Sequence, residues 1–241
     1  MAKFMLIGGG NVGRGNSEYE TDIIDKEIVK MANKDNPNFL FVGLASSFSD
    51  SYYDTMKKIY KELGCTCSYL KKKNILNNPD IVKNKIKMAD IIYFCGGDSI
   101  KLVNDLKEYK IDILLKEAIA EDTVVAGMSA GAIMLCREGY SDSLKLRGES
   151  DNYEFVLGLG TLNISICPHF DLESDKGEEL KKDILKCGSN VVGIPDKTAI
   201  KIENDKYKVI SLNGDIYNCY FDGKFKCDVL KKEGLISEIV L

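Results

Sequence analysis

Histidine and arginine are scarce in this sequence, and the cysteines do not follow a metal-binding pattern. His169 is the single histidine among 241 residues, and the eight cysteines include no C-x-x-C pair. A zinc site has few possible ligands here, so we expect no metal and no cofactor. The cysteines are instead expected to be free thiols, several of them buried, in a reducing compartment. Because arginine occurs only at Arg14, Arg137 and Arg147, a site that binds a carboxylate through two parallel hydrogen bonds has few candidates.

Long hydrophobic runs are also missing. No apolar segment reaches the length that a bilayer requires, and residues 1–7 lead directly into a strand instead of forming a signal peptide. The formal net charge of −4 gives no electrostatic reason to expect nucleic acid or an anionic membrane surface. These features predict a cytoplasmic protein with no nucleic-acid or membrane partner.

Apolar strands and amphipathic helices alternate in the first half of the chain. Strands are predicted at 3–7, 39–44, 66–69, 91–95 and 123–127, with helical spacing of apolar residues at 19–33, 52–63 and 81–88. This alternation predicts a three-layer α/β/α fold with a mostly parallel, doubly wound sheet covered on both faces. Ligand sites in such sheets lie at the carboxyl ends of the strands.

The second half has a different pattern. The polar segment 138–152 predicts a surface excursion, and a strand at 162–167, a helix at 175–186 and a strand at 191–194 follow. From Thr198 onward, alternating stretches separated by Asn-Asp and Asn-Gly predict antiparallel hairpins that extend the edge of the sheet. Since no linker is evident, residues 1–241 are expected to form a single α/β domain.

The most informative motif is Gly127-Met128-Ser129-Ala130-Gly131, which matches the G-x-S-x-G nucleophile elbow. Apolar residues precede the serine and small apolar residues follow it, as in a strand, a tight turn and a helix. This context predicts that Ser129 is a nucleophile at the carboxyl end of a parallel strand. The alternative is an ordinary strand-to-helix turn, because the five-letter pattern is short.

Two further glycine turns follow predicted strands. Gly8 to Gly13 matches the dinucleotide pattern G-x-G-x-x-G, but no helix opens at the third glycine and no acidic residue ends the second strand, so nucleotide binding is not expected. Gly96-Gly97 follows the fourth strand. We predict that the N–H groups of Gly97 and Ala130 form an oxyanion hole; the alternative is a turn that only reverses the chain.

His169, just beyond a predicted strand, is the only imidazole available as a general base for Ser129. A third residue must orient the ring. Asp196 is the first candidate and Asp142 the second, while Glu149 and Asp171 remain possible, because a triad is defined by geometry.

With these residues assembled, the chain resembles the peptidase E and cyanophycinase family of serine peptidases, whose fold is similar to that of class I glutamine amidotransferases. The resemblance spans nearly the full length and rests on an ordered series of motifs. These are GGDS, GMSAGA, YSDS, PHFD and GIPDKTAI, beginning at residues 96, 127, 140, 168 and 193.

The resemblance implies a serine peptidase of the dipeptidase type that uses Ser129, His169 and Asp196, where peptidase E has glutamate. An older assignment in the family implies Asp142 as the acid. Amidotransferases carry cysteine at the elbow, so Ser129 argues against a glutaminase, and Cys136 is expected in the following helix, where it cannot substitute.

One departure concerns the substrate. Aspartyl dipeptidases of the family carry arginines after the catalytic histidine, whereas residues 171–186 here contain only lysines, so a preference for aspartyl or isoaspartyl peptides is open. The lysines in that segment are Lys176, Lys181, Lys182 and Lys186.

The alternative function is that of a ligand-binding or regulatory protein that keeps the fold without hydrolysis, since such folds host unrelated activities.

Overall fold

The computed structural model, which describes residues 2–212 and 214–239, has strands and helices alternating through the first half of the chain. The strands are β1 (Lys3–Ile7), β2 (Asn38–Val42), β3 (Thr66–Leu70), β4 (Ile91–Phe94), β5 (Val124–Met128), β6 (Cys136–Ser141), β7 (Glu154–Leu157), β8 (Leu162–Pro168), β9 (Val191–Ile194), β10 (Thr198–Glu203), β11 (Lys206–Ser211), β12 (Tyr217–Phe221), β13 (Phe225–Val229) and β14 (Glu233–Leu235). The helices are α1 (Asp22–Ala32), α2 (Ser49–Glu62), α3 (Lys72–Asn77), α4 (Pro79–Met88), α5 (Ser99–Glu108), α6 (Ile111–Ala120), α7 (Ala130–Ile133), α8 (Ser143–Arg147) and α9 (Asp175–Cys187).

The first sheet has the strand order β14-β11-β10-β1-β5-β4-β2-β3. From β1 to β3 the pairs are parallel, and β10, β11 and β14 add antiparallel strands beside β1. The predicted α/β class, with a mostly parallel sheet and an antiparallel edge, is therefore confirmed. Strands β1, β4 and β5 are buried along their whole length, as expected for parallel strands covered on both faces.

A second sheet, which the sequence did not indicate, has the order β13-β12-β9-β8-β6-β7. Strands β6, β8 and β9 are parallel, whereas β7, β12 and β13 are antiparallel to their neighbours. The expectation that all strands share one sheet was wrong. The Asn-Gly pair at 213–214 predicted a hairpin between β11 and β12, but these two strands lie in different sheets. Asn213 itself lies outside the described residues.

The segment 138–152 is exposed only in its second half, at residues 146–149, 151 and 152. It contains the end of β6 and the whole of α8, and Tyr140, Ser141 and Ser143 are buried. Polar composition was misleading here because the serine hydroxyls are buried with hydrogen-bond partners of their own.

The cysteines differ in part from expectation. Cys65, Cys95, Cys136 and Cys167 are free and buried, as predicted, but a disulfide joins the cysteines at 219 and 227 across β12 and β13. Within the described residues no cluster of histidine, cysteine and carboxylate side chains could hold a metal ion. None of the described helices is both long enough and apolar enough to pass through a bilayer.

Candidate active site

Ser129 lies in a strained turn between β5 and α7. Its backbone angles are φ 52° and ψ −110°, which residues with side chains rarely adopt. The flanking glycines permit the turn: a Cβ at Gly127 would overlap the backbone of Gly131, and one at Gly131 would overlap the carbonyl of Phe94. Glycine is thus required on both sides of the serine, which explains the G-x-S-x-G pattern in steric terms.

The helix after the serine is shorter than expected. It consists of one turn, α7, and the chain then enters β6, whose first residue is Cys136. The prediction that Cys136 lies in a helix was therefore wrong. Its thiol is fully buried, and burial raises its pKa, so it remains a protonated core residue.

His169 and Asp196 follow β8 and β9, neighbouring parallel strands of the second sheet. The distance from His169 Nδ1 to Asp196 Oδ1 is 2.6 Å, and the hydrogen bond from His169 lowers the pKa of the carboxyl group. Roughly half of each side chain is exposed to solvent, 47% and 52% respectively. A carboxylate so placed fixes the orientation of the imidazole and leaves Nε2 for other partners.

The first sheet meets this pair through the glycine loop that follows β1. His169 N–H donates to the Gly8 carbonyl at 3.2 Å, and Lys197 N–H donates to the Gly9 carbonyl at 3.0 Å. A Cβ at Gly9 would overlap both Asp196 Oδ1 and the His169 ring. The loop therefore supports the histidine–aspartate pair, and its glycines are explained by close approach of backbone to side chains.

The same loop differs from a dinucleotide-binding turn. Val12 and Tyr19, on either side of Gly13 in the sequence, form an isolated antiparallel bridge, and α1 begins only at Asp22. No helix N-terminus opens at the third glycine, which is where a pyrophosphate would bind in a dinucleotide site.

Gly96 and Gly97 border Ser129 from the β4 side. A Cβ added to Gly96 would lie 3.4 Å from Ser129 Cβ, and Gly97 has φ +141°, where a side chain would overlap the Ala45 carbonyl. Gly97 lines the same cavity as Ser129, and Ala130 is the first residue of the short helix after it. Gly97 therefore lies at the cavity, whereas Ala130 follows the serine in sequence but is buried and is not among the residues that line the cavity; the oxyanion hole stays a prediction.

Among the described residues, no hydrogen bond or ion pair joins Asp142 to His169. Asp142 precedes α8 and does not line the cavity that contains Ser129. Its neighbours are structural, since Ser143 Oγ accepts from Ser99 N–H at 2.9 Å and Ser141 Oγ lies 3.0 Å from Ser99 Oγ. Arg147 adds an ion pair to Asp98 at 2.7 Å. The YSDS segment therefore holds the start of α5, immediately after the Gly96-Gly97 turn.

Neither of the two remaining acid candidates forms a hydrogen bond or ion pair with His169 in the part of the chain that the structure describes. Glu149 is near Arg147 at 3.9 Å, and Asp171 accepts from Glu173 N–H at 3.0 Å. Of the four carboxylates considered, the structure brings only Asp196 to the histidine ring.

Ser129 and His169 line one cavity of about 390 Å³. In the described part of the chain no hydrogen bond joins their side chains. The contact between nucleophile and base is often long in hydrolases without substrate and shortens when substrate binds. Several cavity residues were not identified from the sequence. They include Asn11, Arg14, Ser46, Phe48 and Tyr52. The scarcity of arginine was the one signal that could have drawn attention to Arg14.

The lysines that follow His169 do not reach this cavity. Lys176 is buried and donates to the Pro168 carbonyl at 2.7 Å, and Lys186 pairs with Asp183 at 3.0 Å. None of the four lysines between residues 171 and 186 is among the residues lining the cavity. A carboxylate of a substrate in this cavity would need another partner.

A strained serine at a strand end and a histidine–carboxylate pair at one cavity are typical of hydrolases that use a serine nucleophile. The model of Peptidase family S51 matches residues 4–210. The chain is 32% identical over 178 residues to the uncharacterized peptidase YgaJ of Bacillus subtilis (strain 168), covering 73% of this chain and 72% of that protein. It is 22% identical over 215 residues to peptidase E of Nostoc sp. (strain PCC 7120), covering 80% and 84%.

A solved structure shares the fold. The crystal structure of a peptidase from an acI-B1 Actinobacterium superposes with a TM-score of 0.68 at 21% sequence identity, covering 98% of this chain and 97% of the other. The chain belongs to peptidase family S51 and is a serine-type peptidase, a hydrolase. The resemblance seen in the ordered motifs is thereby confirmed.

Proposed function

We propose that this peptidase cleaves short peptides, dipeptides in particular, through an acyl-enzyme on Ser129. The observation that carries the proposal is that Ser129, in its strained turn, shares one cavity with the hydrogen-bonded pair of His169 and Asp196. A cavity of about 390 Å³ is of the size that takes up small ligands. The name of the Nostoc relative, peptidase E, supports the same type of activity.

In the proposed reaction, His169 Nε2 accepts the Ser129 proton as the oxygen attacks the peptide carbonyl. The Nδ1 atom is occupied by Asp196 at 2.6 Å, which favours Nε2 as the basic nitrogen. The N–H groups of Gly97 and Ala130 stabilise the negative charge on the tetrahedral intermediate. The imidazolium then protonates the leaving amine, and water, deprotonated by the same imidazole, hydrolyses the ester and regenerates the serine.

A fluorophosphonate probe tests the nucleophile directly. We expect labelling of the wild-type protein at Ser129, no labelling of Ser129→Ala, and normal labelling of Ser46→Ala, a serine that lines the same cavity. A panel of dipeptides and isoaspartyl peptides measures hydrolysis in parallel. Unlabelled wild-type protein together with full dipeptide hydrolysis by Ser129→Ala would exclude the mechanism.

The proposal also covers the compartment and the oligomeric state of the protein. We propose a cytoplasmic enzyme, supported by the buried free thiols of Cys65, Cys95, Cys136 and Cys167, although the cysteines at 219 and 227 are joined. We also propose a monomer or homodimer with no nucleic-acid or membrane partner. Cell fractionation and sedimentation equilibrium test these points. Family membership favours hydrolysis over a purely ligand-binding role.

A further inference from the structure

Arg14 occupies a position that the proposed mechanism does not use. It follows the glycine loop after β1 and lines the cavity that contains Ser129 and His169. Its guanidinium carbon lies 4.5 Å from the centre of the Tyr52 ring, which belongs to α2 and lines the same cavity. The side chain therefore connects the loop after β1 with α2 at the cavity.

The aromatic surface beneath Arg14 is rigidly held. Tyr52 is only 4% exposed, and its hydroxyl donates to Met128 Sδ at 3.2 Å. Met128 is the residue before Ser129, so the ring is tied to the strand that carries the serine. A guanidinium stacked on an aromatic face keeps its N–H groups in the plane of the stack, where they remain able to donate. Arg14, itself exposed, thus lies over a ring that is hydrogen-bonded to the residue before Ser129.

No carboxylate of the described residues forms an ion pair with Arg14. The acidic groups near the cavity have other partners: Glu20 binds Lys197 at 2.6 Å and the Asn11 N–H at 2.9 Å, and Asp196 binds His169. The two other arginines of the chain are paired. Arg137 is 3.0 Å from Glu138, and Arg147 is 2.7 Å from Asp98.

We propose that Arg14 is the carboxylate-binding residue of this peptidase and selects peptides that carry a carboxylate near the scissile bond. The guanidinium, which lies over the Tyr52 ring, would donate two parallel N–H hydrogen bonds to the two carboxylate oxygens. The carboxylate belongs either to an acidic side chain or to the C-terminus of a dipeptide. The inference rests on the proposed function, and it identifies a carboxylate partner in a cavity that the lysines of α9 do not line.

The test compares three substrates, Asp-Leu, Asn-Leu and Asp-Leu amide, on the wild type, Arg14→Met and Arg14→Lys. We expect wild-type kcat/KM to favour a carboxylate by about 10- to 100-fold, the range of a charge-assisted hydrogen-bond pair. Arg14→Met should lose that preference, and Arg14→Lys should recover only part of it because lysine lacks the planar fork. Loss of the Asp-over-Asn ratio identifies the side-chain carboxylate, and loss of the acid-over-amide ratio identifies the C-terminus.

Lys58→Met is the matched control, since Lys58 is an exposed residue of α2 that does not line the cavity. It removes one positive charge and should leave both ratios unchanged. Calorimetric binding of the same peptides to Ser129→Ala, with and without Arg14→Met, gives a readout that needs no hydrolysis and so separates this inference from the mechanism. Equal treatment of acid, amide and Asn substrates by the wild type, or ratios that persist in Arg14→Met, would overturn it.

Discussion

Lys176 Nζ lies 2.7 Å from the carbonyl oxygen of Pro168, the residue before His169. The lysine is in the first turn of α9 and is 9% exposed. His169 itself has φ 51°, a left-handed conformation that a residue with a side chain adopts only when its surroundings hold it there. The buried ammonium therefore supports the strained backbone that presents the imidazole.

Replacement of Lys176 by Met should destabilise the protein. The carbonyl of Pro168 would lose a charged, buried donor, so we expect the free energy of unfolding to fall by about 1–3 kcal/mol and kcat to fall with it. Urea unfolding and dipeptide kinetics measure both effects. Lys182→Met, at an exposed site on the same helix, should change the free energy of unfolding by less than about 0.5 kcal/mol. Equal stability of the two variants would contradict the supporting role.

The two candidate acids can be separated by a pair of isosteric variants. Asp196→Asn keeps the shape of the side chain but favours the wrong tautomer of His169, so kcat should fall by about 10⁴-fold. Asp142→Asn should lower kcat by less than tenfold, on the order of a packing change near α8. Steady-state kinetics on one dipeptide, with circular dichroism as a check of folding, makes the comparison. If Asp142→Asn lowered kcat more than Asp196→Asn did, Asp142 would be the acid of the triad.

Gly9 should tolerate no side chain. In Gly9→Ala the new methyl group would occupy the space of Asp196 Oδ1 and the His169 ring. Displacement of the pair by about 1 Å is expected to lower kcat/KM by about 100-fold or more. Gly15→Ala, in the same loop, is the control: it has open space around it, and although its φ of +59° makes an alanine there strained, it should retain most activity because no site residue is displaced. A fully active Gly9→Ala enzyme would show that the pair is not held by this contact.

Asp25 is a buried carboxylate that should make stability depend on pH. It accepts hydrogen bonds from Tyr19, Thr21 and Tyr60, yet burial dominates and raises its pKa to about 6 from 3.8. Because the folded chain then binds the proton more tightly than the unfolded chain, this group contributes most stability below pH 4. That contribution is lost as pH rises from 4 to 6.

The Asp25→Asn variant isolates this effect. A difference of two pKa units corresponds to about 3 kcal/mol, so the stability of Asp25→Asn relative to wild type should improve by roughly that amount between pH 4 and pH 7. Urea unfolding at both pH values measures it. A wild-type minus Asp25→Asn difference that stays constant with pH would show that the buried carboxyl has no raised pKa.

The local part of the site was predictable because short-range sterics control it. The turn at Ser129 needs glycine on both sides, and the five consecutive residues 127–131 meet that requirement. His169 could be selected because the chain contains no other imidazole. The five parallel strands were also predictable, since continuous apolar runs between amphipathic helices leave few other arrangements. The supporting role of the Gly8-Gly9 turn was not predictable, because its partners follow β8 and β9, far along the chain.

By itself the sequence determined the parallel sheet, the strained serine turn and the identity of the single imidazole, all of which depend on neighbouring residues or on composition. Only the tertiary structure decided that β6, β8 and β9 form a second sheet, that Asp196 and not Asp142 meets His169, and that Arg14 stacks on Tyr52. These relationships join residues distant in sequence, and such pairings follow from packing of the whole chain, which no local pattern encodes.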